Sequence, residues 1–325
     1  MSWFLYRWVW ELKAPLHIGM PPAGSLSRTR LYLPARAVWG AMTAELARLR
    51  QKHSFPDYDA VGQELRENTR FSYLYPAEKN KDGWLAWLPC YEDDKGLVWR
   101  QQRNEEQEHA KHINLASRLL TARVGTAIAP STDTAEENTL RVMELINCYW
   151  RQDRNANNGE DNPQGRSGID QQQCGQDNGK KEKKPVFLVG YFFIKEAAKN
   201  LLDELEQINT VFLGGDTRYG LGKAVRVKEE MKEVKNFFDA NEILLQEAQP
   251  VVKTNHLLAH TYTDNLNDVI GALEYLGGWE TKGGTGSFRD LGLTWVPGST
   301  IVEKQNASDA SSFLIYEKGL WKKQG

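Results

Sequence analysis

The sequence predicts an α+β fold whose core has strands and helices in the order βαββαβ, on three observations. Residues 3–13 alternate apolar and polar side chains at period two, which is typical of a strand. Residues 35–50 carry apolar side chains at intervals of three and four, as an amphipathic helix does. Residues 186–228 then contain an apolar strand, an amphipathic helix and a second strand. This order is that of a ferredoxin-like (RRM-like) core.

The elements follow from local patterns. A turn-rich loop at 19–27 carries Pro21, Pro22 and Gly24. In 35–50 the core-facing set is Val38, Met42, Leu46 and Leu49. Short strands are predicted at 84–88 and 97–99 around a polar turn, and a helix at 109–120. Later come a strand at 186–194, a helix at 195–209 and a strand at 224–228. The tail is predicted to hold a helix near 267–276 and terminal strands.

Segment 151–185 differs in kind from its surroundings. Its only apolar residues are Ala156, Ile169 and Cys174, and it ends in a lysine-rich run. Such a stretch buries too little surface to offset its ordering entropy. It is predicted to be a disordered, low-complexity insertion. We therefore expect a core made of 1–150 and 186–245, and a β-rich α+β extension at 246–325.

Composition excludes several classes of protein. The 325 residues include 11 Trp, 12 Tyr and 11 Phe, enough for a sizeable core, and the net charge of −2 gives no global attraction to nucleic acid. The cysteines at 90, 148 and 174 show no metal-ligand or disulfide pattern. No apolar run approaches the roughly 20 residues of a membrane helix. We expect a cytoplasmic protein without a membrane partner.

The charge is nevertheless unevenly distributed along the chain. No acidic residue lies between Glu11 and Glu45, nor anywhere in 109–132. The first stretch carries Lys13, Arg28, Arg30 and Arg36, and the second carries Lys111, Arg118 and Arg123. Surface cations are common, but acid-free stretches beside glycine-bearing loops favour contact with a phosphate backbone.

A glycine-rich segment at 213–223 is the most informative motif. Its glycines at 214, 215, 220 and 222 permit positive φ and close backbone approach. Arg218, Tyr219 and Lys223 add two cations and a stacking ring, which suits RNA contact. The segment is neither a P-loop nor a dinucleotide fingerprint, because it lacks their sequence and context. An elaborate hairpin turn is the structural alternative.

This segment resembles the glycine-rich loop of the RAMP superfamily of CRISPR-associated RNA-binding proteins. Residues 15–19 and 33–41 are similar to that family's first strand end and the start of its first helix. Residues 120–146 are similar to its thumb hairpin. Residues 277–280 and 296–299 look like a segment of the handle-capping subunits of type III effector complexes. The resemblance covers about 1–150 and 186–300.

The resemblance implies a non-catalytic subunit of a type III complex that binds guide RNA, and target RNA, beside other RAMP-type and large subunits. Both a backbone role and a handle-capping role stay open. The family's target-cutting subunits carry an aspartate in the loop after the first strand, whereas 20–32 has no acidic residue. We predict no catalytic residue, no cofactor and no metal. The RNA-binding candidates are His17, Arg28, Arg30, Arg36, Arg123, Arg218, Tyr219 and Lys223.

Two other functions remain possible at this stage. One is a ribonuclease of the same superfamily that cuts target or precursor guide RNA, with Asp133 as the best remaining acidic candidate. His17 as a general acid or base would serve the same chemistry, although its position before a glycine favours a structural or RNA-contacting role. The other is an α+β protein that binds a small ligand or a protein partner and has no RNA role.

Overall fold

The computed structural model describes residues 2–51, 55–81, 83–102, 109–151, 183–240, 242–282, 285–302 and 310–324. Its class is α+β, with mostly antiparallel sheets and few helices. The described α-helices are α1 (Ala35–Arg50), α2 (Tyr58–Asn68), α3 (His112–Leu119) and α4 (Lys199–Gln207). No helix among the described residues is long and apolar enough to cross a membrane.

The strands of the described residues fall into two large sheets and three small ones. Those of the first two thirds are β1 (Trp3–Leu12), β2 (Leu26–Ser27), β3 (Thr69–Phe71), β4 (Tyr75–Asn80), β5 (Gly83–Glu92), β6 (Gly96–Gln101), β7 (His109–Lys111), β8 (Leu120–Gly125), β9 (Ile128–Ala129), β10 (Thr134–Ala135), β11 (Arg141–Ile146), β12 (Phe187–Lys195), β13 (Thr210–Phe212) and β14 (Lys223–Arg226). Those of the last third are β15 (Lys232–Glu233), β16 (Glu242–Leu244), β17 (Val251–Lys253), β18 (Thr261–Tyr262), β19 (Val269–Ile270), β20 (Leu273–Lys282), β21 (Thr285–Trp295), β22 (Thr300–Ile301), β23 (Ser312–Ile315) and β24 (Trp321–Lys323).

The main sheet has the order β13-β14-β1-β12-β4-β5-β6-β7. Its centre is β1, which pairs antiparallel with β12 along nearly its whole length and with β14 at its end. Both faces of β1 are covered, so Trp8, Val9 and Trp10 are all buried. This explains why the polar face predicted from period two is only partly exposed.

Opposite Trp8 in the neighbouring strand stands Gly190, which makes room for a close approach. A Cβ at Gly190 would lie 2.9 Å from the Tyr73 carbonyl oxygen. The glycine therefore allows the chain between β3 and β4 to press against the central strands. The aromatic rings fill the surrounding core, where Trp8 and Phe71 stack with centroids 5.7 Å apart.

Several predicted elements are confirmed. Strand β1 and helix α1 match their predicted bounds to within a residue, and β5 and β6 form the predicted hairpin. Strand β12 is almost wholly buried, as its apolar composition predicts. Helix α4 is shorter than predicted because 196–198 forms a 3₁₀ turn. Helix α3 begins only at His112, because 109–111 pairs with β6 as strand β7.

The predicted helix near 267–276 is wrong. Residues of this segment form β19 and the start of β20, which pairs with β21 from Leu273 to Lys282. Gly277 and Gly278 weaken helix formation, and the alternation of exposed Leu273 and Tyr275 with half-buried Glu274 suits a strand. Long-range pairing with β21 thus outweighs the helical spacing.

The last third of the chain builds its own sheet, in the order β16-β17-β23-β24-β18-β21-β20. The predicted insertion 151–185 lies almost entirely outside the described residues. Its two ends are adjacent, because the Val186 amide donates to the Cys148 carbonyl at 2.8 Å and the Trp150 amide to the Lys184 carbonyl at 2.9 Å. The insertion therefore leaves and rejoins the fold at one point.

Candidate nucleic-acid interface

The glycine turn at 213–223 packs directly on the chain segment around His17. The Gly215 amide donates a hydrogen bond to the His17 carbonyl at 2.9 Å, and the Gly222 amide donates to the Pro15 carbonyl at 2.8 Å. Gly214 has φ +75°, and a Cβ there would overlap the His17 carbonyl oxygen. Gly214 is therefore required for this contact, in agreement with the close backbone approach that the motif predicts.

The outer part of the glycine turn presents a cation and an aromatic ring to solvent. Asp216 and Gly220 hold left-handed backbone on either side of a single 3₁₀ turn that contains Arg218 and Tyr219. The Arg218 guanidinium lies 4.9 Å from the centre of the Tyr219 ring, and Tyr219 is 54% exposed. Lys223 is also exposed at the start of β14. The turn thus offers charge beside a stacking surface.

The other side of His17 contacts the hairpin that β8 and β11 form. The His17 Nδ1–H donates to the Glu144 carbonyl of β11 at 2.8 Å. The Glu144 carboxylate in turn accepts the Thr29 amide at 3.1 Å, which attaches the first loop to the same strand. His17 therefore links the first loop, the hairpin and the glycine turn.

Two predicted cations lie on the small sheet that β2, β11 and β8 form. In this sheet Ser27 pairs with Met143, which pairs with Arg123 across the hairpin. Arg28 directly follows Ser27, just past the end of β2, and Arg123 lies in β8, two strands away in this sheet. Both side chains are exposed. Burial, and to a smaller extent the positive charge of Arg28, lowers the pKa of His112.

A groove of about 720 Å³ runs between the first loop, α1 and the glycine turn. The predicted residues Arg30 and Arg36 line it, together with Trp39 of α1 and Arg66 of α2. Gly19, Gly214, Gly215 and Thr217 form its opposite wall. Of the two carboxylates in the lining, Glu45 forms an ion pair with Arg48, and Asp59 lies in the first turn of α2, where the helix dipole favours a negative charge.

Arg30 differs from the other candidates because its charge is paired inside the protein. Its guanidinium binds the Glu274 carboxylate of β20, with one contact at 2.7 Å, and its side chain is 11% exposed. Glu274 also accepts from His260 at 3.0 Å, and the other ring nitrogen of His260 bonds the Tyr73 hydroxyl at 2.7 Å. This network joins the first loop to the C-terminal sheet.

Acid is expected to weaken the fold through this network. Burial raises the pKa of Glu274, but the hydrogen bonds and charges of His260 and Arg30 outweigh it and hold the value at about 2. A carboxyl group whose pKa is lower in the folded state stabilises that state fully above its ordinary pKa of 4.5. This stabilisation is lost as the pH falls towards 2. Urea unfolding across this pH range measures the effect. Glu274→Gln should flatten the dependence of the free energy of unfolding on pH, and an unchanged slope would contradict this prediction. Glu45→Gln is the control.

The acidic candidate Asp133 and the buried thiol of Cys90 lie in different parts of the fold. Asp133 lies in the turn between β9 and β10 with left-handed backbone, at φ 57°. Burial raises the pKa of the Cys90 thiol, which lies 3.7 Å from His256. Within the described ranges, no group of three or more His, Cys, Asp or Glu side chains is arranged to hold a metal ion.

Sequence patterns do not single out several residues of this region. Glu274 lies 244 positions from Arg30 in the chain, so no local signal connects them. Arg66 lies in a stretch of the chain that is rich in acids, which conceals its place in the groove. Trp39 is present in the motif at 33–41, and its position on the groove wall follows only from the fold.

No family model matches the chain, and no curated protein matches it. Solved structures that match include three cryo-EM structures of the type III-B Cmr-beta. One is bound to cognate target RNA and AMPPnP, at 14% identity over 90% of this chain and 84% of that chain, with a TM-score of 0.47. Another is bound to cognate target RNA, at 14% identity over 90% and 85%, with a TM-score of 0.48. The third is an apo state, at 11% identity over 72% and 98%, with a TM-score of 0.37.

Proposed function

We propose that this chain is a non-catalytic RNA-binding subunit of a type III CRISPR effector complex, which holds guide RNA and contacts target RNA in the cytoplasm. The observation that carries the proposal is the meeting of the first loop, the hairpin and the glycine turn at His17. The resemblance of these same three segments to the RAMP superfamily supports the effector-complex setting and neighbouring subunits of that superfamily.

The chemistry of the surface suits a phosphate backbone. Arg123 belongs to the hairpin that His17 contacts through Glu144, Arg28 to the first loop, and Arg218 and Lys223 to the glycine turn that contacts the His17 carbonyl; all four side chains are exposed. Cations bind RNA mainly by replacing condensed counterions, so this contact needs no particular base sequence. Tyr219, with Arg218 beside its ring, supplies a face on which a base stacks.

The arrangement of the main sheet supports the finer fold assignment. Strands β1, β4, β12 and β14 stand in the order β14-β1-β12-β4 with every neighbouring pair antiparallel. Helix α1 lies between β1 and β4 in the chain, and α4 lies between β12 and β14. We propose that these elements are a ferredoxin-like core within 1–150 and 186–245, that β8–β11 is a thumb-like hairpin, and that 246–325 is an extension.

Absence of a carboxylate in 20–32 supports the non-catalytic role. In-line attack on RNA needs a group that orients a metal or withdraws a proton, and this loop contains neither Asp nor Glu. Both a backbone position and a handle-capping position in the complex are compatible with the surface described.

The test is binding of fluorescently labelled guide RNA across a series of salt concentrations. Arg218→Gln with Lys223→Gln should weaken binding about tenfold at low salt and reduce the slope of log affinity against log salt by about 1.4, or about 0.7 for each lost contact. Lys95→Gln is the matched control, because Lys95 is an exposed, paired lysine outside the groove, its side chain 57% exposed. An unchanged affinity in the double variant would count against RNA binding at this surface.

A second arm separates binding from cleavage. We expect labelled target RNA and precursor guide RNA to remain intact on incubation with the chain and with its assembled complex, with and without Mg²⁺. Metal-dependent cuts that Asp133→Ala abolishes would overturn the non-catalytic role.

A further inference from the structure

Four cations from distant parts of the chain face one another beside the groove. Arg36 lies in the first turn of α1 and Arg66 in the last turn of α2, while Arg289 lies in β21 and Lys318 in the turn before β24. We refer to these four residues as the cationic cluster. It arises only on folding, since its first and last members, Arg36 and Lys318, are 282 positions apart in the sequence.

Direct contacts fix the geometry of the cationic cluster. The Arg36 guanidinium packs on Gly278, where a Cβ would lie 2.9 Å from its Cζ, and Gly278 pairs with Arg289 across the hairpin β20–β21. Arg36 and Arg289 are therefore neighbours, and the missing side chain at 278 makes the space for them. Any larger residue at 278 would displace the Arg36 guanidinium.

The other two members gather around Trp39. The Arg66 guanidinium lies 5.3 Å from the centre of one Trp39 ring and the Lys318 ammonium lies 5.4 Å from it. Burial and then the charges of Arg66 and Arg36 lower the pKa of Lys318 to about 8. Burial is also the largest cause that lowers the pKa of Arg36, followed by the positive charges of Arg289 and Arg66. The four charges thus repel one another.

One carboxylate near the cationic cluster is that of Glu317. Glu317 approaches Arg66, but its carboxylate oxygen is 3.6 Å from the Arg66 Nε, beyond hydrogen-bond distance. The Arg66 Nε is buried and makes no hydrogen bond within the described structure. Asp264 lines a cavity of about 500 Å³ that Arg289 and Lys318 also line. A bound anion would relieve the repulsion and supply the acceptor that this buried donor lacks.

The position of the cationic cluster relates it to the RNA surface. Arg36 and Arg66 line the groove of about 720 Å³ that the glycine turn borders. Arg289 and Lys318 line a second cavity of about 500 Å³, together with Arg70 and Lys322. The cluster therefore spans the boundary between the two spaces and extends a basic track away from the glycine turn.

We propose that the cationic cluster is a second phosphate-binding surface, onto which a single strand of RNA continues from the glycine turn along α1. This inference rests on the proposed function and adds the path that the strand takes. Guanidinium groups favour phosphate because their donors match its oxygens in pairs. An acidic polypeptide is the other class of partner that such a surface attracts, and the test below separates the two.

The test compares labelled single-stranded RNAs of two lengths, about 6 and about 20 nucleotides, so that only the longer one reaches past the glycine turn. Arg289→Gln changes an exposed strand residue, and Lys318→Asn suits the left-handed backbone at φ 59°. Each should weaken binding of the long RNA about fivefold at low salt and lower its salt slope by about 0.7, with the short RNA unaffected. Lys95→Gln is the control for a lost surface charge.

The outcomes are distinguishable from those of the proposed function. If Arg218→Gln with Lys223→Gln weakens both RNAs while Arg289→Gln and Lys318→Asn weaken neither, the second surface is refuted and RNA binding at the glycine turn stands. If no variant weakens either RNA, the proposed function fails. If Arg289→Gln and Lys318→Asn reduce binding of polyglutamate but not of RNA, the surface belongs to an acidic polypeptide and the inference is wrong.

Discussion

Replacing Glu274 with glutamine is expected to lower the free energy of unfolding by about 3 kcal/mol, because it leaves a buried arginine without its counter-charge. Arg30 binds Glu274 with a side chain that is only 11% exposed, and Glu274 is 17% exposed. The neutral amide cannot compensate that charge, and it offers one acceptor oxygen where Arg30 and His260 together use both oxygens of the carboxylate. This loss of free energy is at the lower end of the range for broken buried ion pairs, because some solvent reaches both side chains. Urea unfolding followed by tryptophan fluorescence measures the change.

An ion pair whose arginine is exposed provides the control for this prediction. Glu45 binds Arg48 one helical turn away, and the Arg48 side chain is 52% exposed. Glu45→Gln should therefore change the free energy of unfolding by less than about 1 kcal/mol. A double substitution, Arg30→Gln with Glu274→Gln, should cost less than the sum of the two single changes, because it removes both charges together. Equal effects of Glu274→Gln and Glu45→Gln would contradict the assignment of a buried pair.

Gly214→Ala is expected to destabilise the protein by about 3 kcal/mol and to weaken guide-RNA binding about tenfold. Two costs combine: the left-handed backbone at φ +75°, and the overlap of the new Cβ with the His17 carbonyl oxygen. Relief of the overlap requires the glycine turn to move off His17, which breaks the bond from Gly215. Arg218 and Tyr219 then leave their place beside the first loop.

Gly220→Ala separates the two costs. Gly220 also has positive φ, at +82°, but a Cβ there meets no atom within 4 Å. It should cost only about 1 kcal/mol for the strained backbone and leave RNA affinity within about twofold. Thermal or urea unfolding and RNA anisotropy on both variants check this. Equal loss of affinity in the two variants would show that turn flexibility, and not contact with His17, governs binding.

The predicted elements succeed or fail according to how local their causes are. Helix α1 has its apolar residues at regular spacing and ends where predicted, because both signals lie within the segment itself. The segment near 267–276 is predicted to be a helix but forms strands, because β22 supplies partners for Val269 and Ile270 and β21 supplies partners from Leu273 onward. Pairing between distant segments cannot be predicted from the local sequence of either segment alone.

The candidate site divides in the same way. The glycine pattern and the acid-free first loop are visible in the sequence, and the structure brings both segments to His17. The contribution of β20 is not visible. It pairs Arg30 with Glu274 and seats Arg36 on Gly278, so two of the predicted cations have surroundings that no pattern near them indicates.

By itself the sequence determined the class of fold, the central strand β1, the helix α1 and the glycine turn, because side-chain periodicity and backbone freedom act over a few residues. Only the tertiary structure decided which charges are buried in pairs and which collect into the cationic cluster. That outcome depends on the crossing of the C-terminal hairpin over α1, where residues hundreds of positions apart come within a few ångströms. Electrostatic energy depends on those distances and on burial, and neither is set by neighbours in the chain.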